Sequence, residues 1–278
     1  VLGPLLSSVR DQVGLGAVPV IAPACHDTGS AVVAVPAAAP DFMYISSGTW
    51  ALEGIEVSSP VITAETLRHN FTNEGGAGGT FRLLKNIVGL WLVQECRREW
   101  AREGHEMSYD ELTRLAAEAE PFRSLVNPDH PMFMPPGDMP RRIRTYCQET
   151  GQPAPETYGQ VVRTALESLA LRFRVALEQL ESIAGRRLSP IHIVGGGSQN
   201  RLLNQLTADA TGRPVIAGPV EATAMGNIIV QAVARGYIGS VQEGRELVRR
   251  GAGVCEYQPR DTAPWDEAYE RFVRLPVQ

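Results

Sequence analysis

Apolar residues recur at helical spacing in several stretches. Over 157–184, Val161, Ala165, Leu169, Phe173, Ala176 and Leu180 fall on one side of a long helix. Leu84, Ile87, Val88, Trp91 and Leu92 predict a second helix from about Arg82 to Arg102, stopped by Gly104. Ser108 followed by Glu111 has the form of a capping box and starts a third helix over 108–120. Shorter apolar runs predict strands at Val18–Ala24, Phe42–Ser47 and Trp50–Val57, the last two joined by a Ser47-Gly48-Thr49 turn as in a β-meander. The segment Ser30–Val35 fits helix or strand, and residues 73–80 read as a glycine-rich loop.

The last third alternates. A buried strand over Pro190–Val194 ends in Gly195-Gly196-Gly197 and is followed by a helix over Asn200–Thr211 with Gly212 as its stop. A strand over Pro214–Ala217 and a helix over Ala222–Arg235, stopped by Gly236, complete the pattern. Between these regions, 121–157 is punctuated by proline from Pro121 to Pro155 and reads as an insertion with a short helix near Arg141–Glu149. Its Phe and Met content is too high for a freely solvated linker. Strands first, then alternating strands and helices, predict an α/β fold: a mixed sheet with helices on both faces. No internal repeat is visible.

Composition narrows the function classes. Of 278 residues, 44% are hydrophobic and 21% charged, which argues against disorder. A net charge of -5 argues against a dedicated binder of nucleic acid or of anionic membranes. No apolar run is long enough for a transmembrane helix. The chain opens Val1-Leu2-Gly3-Pro4, with neither Met nor a signal peptide, as a processed, engineered or fragment start would. Cys25, Cys96, Cys147 and Cys255 stand far apart, which argues against a zinc site or disulfide framework and for a reducing cytoplasm.

Four segments can carry chemistry. In Cys25-His26-Asp27-Thr28-Gly29-Ser30, an Asp at a strand end can present a free carboxylate to a crevice, or merely cap the next segment. Asp-Thr-Gly-Ser is also the tetrapeptide of aspartic proteases, which need a second facing carboxylate that no other Asp-Thr-Gly or Asp-Ser-Gly here supplies. Ser46-Ser47-Gly48-Thr49 can form a phosphate nest or only a hairpin turn. Ile191 to Asn200 runs from strand through Gly195, Gly196 and Gly197 to a helix start, an arrangement that admits a nucleotide or serves as a tight packing turn. It is neither a G-x-G-x-x-G nor a P-loop motif. On the expected 82–102 helix, Asn86 and Gln94 share a stripe about 12 Å apart, which suits two ends of a bound pair of substrates or a polar solvent edge. His69, His105 and His130 lack ligand spacing and read as surface or structural residues, and Asn70-Phe71-Thr72 is a chance sequon without a secretory signal.

In order, these segments resemble the carboxy-terminal half of the FGGY family of sugar kinases, within which the rhamnulokinases are most similar. The residues that carry it are His26-Asp27-Thr28, Tyr44 to Trp50, Thr72 to Gly76, Leu84 to Ile87, Gly89 to Leu92, Val194 to Asn200 and Ile216 to Asn227. The resemblance covers nearly the whole chain and is weakest over 100–160 and after 240. It implies an actin-like ATPase fold of two ribonuclease-H-like domains, with ATP and Mg²⁺ between them. It implies that Asp27 is the general base toward a ketose 1-hydroxyl, L-rhamnulose before fuculose or xylulose. His26, Thr28 and Asn86 are then sugar contacts. Gly48 and Thr49 hold terminal phosphates, while Gln94, Gly195, Gly196, Gly197 and Asn200 hold the nucleoside end. The family's amino-terminal domain, with its own phosphate loop, has no counterpart here. Residues 1–17 resemble its end and hinge, and 18–278 the carboxy-terminal domain, so this polypeptide alone is expected to have little or no kinase activity. A non-catalytic actin-like nucleotide module and an aspartic protease half stand as the alternatives from other classes.

Overall fold

The computed structural model describes residues 1–276. Near the start, β1 (Gly3–Pro4) pairs with β2 (Pro19–Val20), and α1 (Ser7–Val13) lies between them. Then follow α2 (Asp27–Val33), β3 (Met43–Ser47), β4 (Trp50–Val57), α3 (Ala64–Arg68), β5 (Thr72–Gly75) and β6 (Phe81–Val88). Next come α4 (Trp91–Arg102), α5 (Tyr109–Glu118), α6 (Met139–Glu149) and α7 (Tyr158–Ala184). The last part runs β7 (Ile191–Val194), α8 (Arg201–Thr211), β8 (Val215–Ala217), α9 (Ala222–Ala234), α10 (Val241–Gly251), β9 (Cys255–Tyr257) and α11 (Ala263–Phe272).

Strands β3 to β9 form one seven-stranded sheet in the order β5-β6-β4-β3-β7-β8-β9. Its centre, β3-β7-β8, is parallel, and the remaining pairs are antiparallel. This is the expected mixed sheet. Side chains alternate between its faces, and each face has its own core. Met43, Ile45, Ile55, Leu83, Ile87, Ile191 and Ile193 point to the larger core, closed by α4, α5, α6, α7, α8 and α11. Tyr44, Leu84 and Val194 point to the smaller one, closed by α2, α9 and α10.

The local signals hold where they are strongest. Thr157 and Gln160 cap α7 reciprocally, Ser108 and Glu111 cap α5, and Gly185 and Gly212 end α7 and α8 in the left-handed conformation. The proline-rich segment is packed: Phe133, Met139, Ile143 and Tyr146 are buried, and α6 lies where the short helix was expected.

Three expectations need correction. Residues 82–102 are not one helix. Phe81–Val88 is the strand β6, paired along its whole length with β4 and partly with β5, and only Trp91 onward is helical. Its apolar spacing satisfies a helical period, but both its faces are buried and two neighbours offer ladder bonds, which outweighs local period. Second, Val18–Ala24 is not a full strand: only Pro19–Val20 pairs, and Pro23 has no N–H to extend the ladder. Asp27 therefore opens a helix, with His26 as N-cap, instead of ending a strand. Third, the loop expected at 73–80 contains β5 in its first half.

His192 on β7 is buried with neither ring nitrogen hydrogen-bonded, edge-on to Phe42 at 5.5 Å. Burial, helped by Arg245, holds its pKa down at about 3. The unfolded chain then binds a proton that the folded chain refuses. Stability should fall as pH drops from about 6.5 toward 3, by about 1.4 kcal/mol per pH unit from this group. Urea denaturation across that window should show the slope, and His192→Leu should reduce it by one proton's worth.

Candidate nucleotide cleft and acid-bearing helix

Three chain segments meet at the carboxyl ends of the parallel strands β3 and β7, where open α/β sheets place their ligands. The turn after β3 holds Gly48 and Thr49. The junction between β6 and α4 packs directly on it: Leu90 N–H donates to Gly48 C=O at 2.9 Å, and Gly89 and Trp91 N–H donate to Thr49 C=O at 3.1 and 3.2 Å. A Cβ on Gly89 would lie 2.7 Å from the Trp50 carbonyl carbon, so backbone meets backbone there. Thr49 Oγ1 donates to Gln94 Oε1 at 2.9 Å, tying the turn to the first turn of α4.

The glycine run after β7 closes the other side. Gly195 has φ 85°, in the region that favours glycine. A Cβ on Gly197 would sit 2.0 Å from Ser47 Oγ, so only glycine lets this turn lie against the end of β3. Gly196 faces open space, leaving its backbone approachable. Asn200 is the N-cap of α8, its Oδ1 accepting from Leu203 N–H at 2.9 Å.

Between these segments lies a cleft of about 390 Å³, lined by Gly48, Thr49, Gln94, Gly196, Gly197 and Asn200. Of the residues expected to hold ATP, the structure brings Gly48, Thr49, Gln94, Gly196, Gly197 and Asn200 to one cleft, while Gly195 does not line it; Gln94 is on α4 and Asn86 on β6 rather than on one helical stripe. The other lining residues, missed in the sequence, include the apolar Leu90 and Val93 and, from α5, Tyr109 and Thr113. Nothing local in the sequence marks Tyr109, which is exposed at the start of α5 with the Arg97 guanidinium over its ring at 4.8 Å.

The sugar set lies elsewhere. Asp27 is the first residue of α2, with its side chain 76% exposed. Its Oδ1 accepts from Thr28 N–H at 2.6 Å and lies 3.3 Å from His26 Nδ1. Thr28 is buried, its hydroxyl 3.4 Å from the same oxygen. Thr223 on α9 donates to Asp27 C=O at 3.2 Å. Asn86 is exposed on β6 and, by alternation with Leu84, faces the α2 side of the sheet. None of His26, Asp27, Thr28 and Asn86 lines the cleft. Among the described residues, no three His, Cys, Asp or Glu side chains converge as a metal site, and no helix is long and apolar enough to cross a membrane.

The carboxy-terminal-domain profile of the FGGY family of carbohydrate kinases matches residues 43–235. The chain belongs to this family. It is 54% identical to a rhamnulokinase of Bacteroides thetaiotaomicron over 271 residues, which are 98% of this chain and 55% of that protein. A rhamnulokinase of Halalkalibacterium halodurans is 46% identical, over 94% of this chain and 54% of that protein. The chain therefore spans about half the length of the curated relatives it matches. Among solved structures, a xylulose kinase of Rhodospirillum rubrum superposes with TM-score 0.73 at 20% identity, covering 99% of this chain and 55% of that one. The glycerol kinase of Plasmodium falciparum with ADP superposes with TM-score 0.62 at 17% identity, covering 89% and 50%. The FGGY domain has the actin-like ATPase fold that the family resemblance implied.

Proposed function

We propose that this chain is the carboxy-terminal domain of an ATP-dependent ketose kinase, acting on L-rhamnulose at its 1-hydroxyl. The observation that carries the reading is the cleft, where open glycine backbone, the Thr49 hydroxyl and an apolar wall of Leu90 and Val93 fit a nucleotide. The 54% identity to a rhamnulokinase along nearly the whole chain supports the choice of sugar. Residues 18–278 form the catalytic domain in this reading. Residues 1–17 lead from a preceding domain that supplies the rest of the phosphate cradle and most sugar contacts, and the reaction takes place in the cytoplasm.

In this reading Gly48 and Thr49 hold the terminal phosphates of ATP, the Thr49 hydroxyl exchanging its Gln94 Oε1 partner for a phosphate oxygen. Gln94, Gly195, Gly196, Gly197 and Asn200 position the nucleoside end, with Gly197 keeping the turn close to β3. Asn200 Oδ1 accepts one hydrogen bond in capping α8, and its Nδ2 donors are available to meet the nucleotide. His26 and Asn86 orient the ketose, and Thr28 fixes the Asp27 carboxylate from below. Asp27 takes the proton of the 1-hydroxyl as that oxygen bonds to the γ-phosphorus and the bond from phosphorus to the β–γ bridging oxygen breaks, releasing ADP. Transfer of this kind relies on positioning and charge neutralisation more than on covalent help from the protein. Mg²⁺ neutralises phosphate charge when bound.

A coupled assay of ADP release by the complete protein that carries this chain, across a panel of ketoses, tests the reading. L-Rhamnulose should give the highest kcat/KM. A faster L-fuculose or xylulose would move the substrate assignment, and no acceleration by any ketose would leave only a nucleotide-binding module.

A further inference from the structure

Helix α8 buries three polar side chains, Asn204, Thr207 and Thr211. Two of them bond within the helix: Thr207 Oγ1 donates to Leu203 C=O at 2.7 Å, and Thr211 Oγ1 to Thr207 C=O at 2.6 Å. Asn204 does not. Its Nδ2 reaches back past the start of α8 and donates to Ser198 C=O at 2.8 Å, in the glycine turn after β7. A carbonyl only accepts, so the amide nitrogen must be the atom that faces it. No backbone N–H among the described residues donates to that carbonyl.

The other bonds of the turn run to itself and to the sheet. Ser198 N–H and Oγ both donate to Gly195 C=O, at 3.0 and 2.7 Å. Gly195 N–H donates to Pro219 C=O at 3.0 Å, and Gly197 lies against Ser47. The N–H groups of Gly196 and Gly197 donate to no backbone carbonyl among the described residues. Gly196, Gly197, Gln199 and Asn200 line the nucleotide cleft, with Ser198 between them in the chain. Asn204 thus stands one hydrogen bond behind the wall of the cleft without lining it.

That bond comes at a cost to the fold. Asn204 is fully buried, and its Oδ1 has no partner. An unpaired buried acceptor is destabilising, and a leucine of similar size would remove it. What the asparagine adds is a fixed direction for one peptide group of the turn.

We propose that Asn204 is a positioning residue for the nucleotide, an inference that rests on reading the cleft as a nucleotide site. It clamps the Ser198 peptide to α8 and so holds the backbone of Gly196 and Gly197, with its free N–H groups, at the cleft. Without this bond the turn keeps its inner hydrogen bonds to Gly195, and only the chain through Asn200 ties it to α8. The loss falls on the nucleotide and not on the ketose, because none of His26, Asp27, Thr28 and Asn86 lines the cleft.

Calorimetric titration of the complete protein with ADP, beside steady-state kinetics with ATP and ketose varied separately, tests this. Asn204→Leu removes the donor and the unpaired oxygen together. ADP affinity should weaken about tenfold, the size of one buried carbonyl left unpaired when written as an equilibrium ratio. The KM for ATP should rise with it, while the KM for the ketose stays near that of the wild type. Should Asn204→Leu fail to fold, Asn204→Ser, too short to reach Ser198, is expected to give the same split. Unchanged ADP affinity with a lower Tm would reduce Asn204 to a packing residue and overturn the proposal, as would an equal rise in both KM values. No binding of ADP by the unaltered protein would overturn the nucleotide reading of the cleft and the proposal with it.

Discussion

Asp27→Asn in the complete protein is expected to lower ketose phosphorylation about 10²- to 10⁴-fold, the usual worth of a positioned general base. The amide keeps an oxygen for the Thr28 N–H, so α2 should start as before, and the 76%-exposed side chain leaves no cavity or buried polar group behind. No residue of 26–28 lines the nucleotide cleft. The KM for ATP and the Tm should therefore stay near those of the wild type while kcat falls. Steady-state kinetics with both substrates varied separates these outcomes. Turnover undiminished in Asp27→Asn would remove the carboxylate from the chemistry.

The second large effect is at a distance from the cleft. Gly226 on α9 faces α2 so closely that a Cβ would lie 1.7 Å from the Ser30 carbonyl oxygen and 2.7 Å from its carbon. The obstacle is backbone, which cannot rotate away. Gly226→Ala must force the two helices apart, at a cost toward the upper end of the roughly 1–3 kcal/mol typical of overpacking. A fall in Tm of about 5 °C or more is expected by differential scanning calorimetry. Because α2 carries Asp27 and α9 carries its Thr223 contact, the ketose KM should rise with it. An unchanged Tm would mean that the α2–α9 contact is looser than described.

Much of the fold is legible in sequence because its signals are local. Ser108 with Glu111 and Thr157 with Gln160 announce α5 and α7 by capping chemistry that involves only neighbouring residues, and Gly185 and Gly212 end helices by backbone conformation alone. The strand β6 is not legible in the same way. Leu84, Ile87, Val88 and Trp91 satisfy a helical period, and what decides for a strand is pairing on both edges, with β5 across a short hairpin and with β4 some thirty residues earlier in the chain. That one error put Asn86 and Gln94 on a common stripe, whereas the residues belong to different elements joined through Gly89.

The cleft shows the same division. Gly48, Thr49, Gly196 and Gly197 stand out as glycine-rich turns after strands, and the resemblance grouped them with Gln94 and Asn200. Tyr109 and Thr113 reach the same cleft only because α5 packs on α7, where a Cβ on Gly159 would touch the Leu115 carbonyl oxygen at 2.4 Å. No local pattern encodes that placement. Nor does spacing reveal that Glu53, Lys85, Asp129 and Arg172 share one buried region, since they come from two strands, a loop and a helix.

We propose that this domain serves a kinase whose phosphoryl acceptor is a ketose. The most direct measurement is ³¹P NMR of the complete protein incubated with ATP, Mg²⁺ and L-rhamnulose. ADP and a sugar 1-phosphate ester should appear stoichiometrically, both absent without the sugar and both strongly slowed in Asp27→Asn. ADP and inorganic phosphate formed at the same rate with and without L-rhamnulose, and no ester, would contradict it.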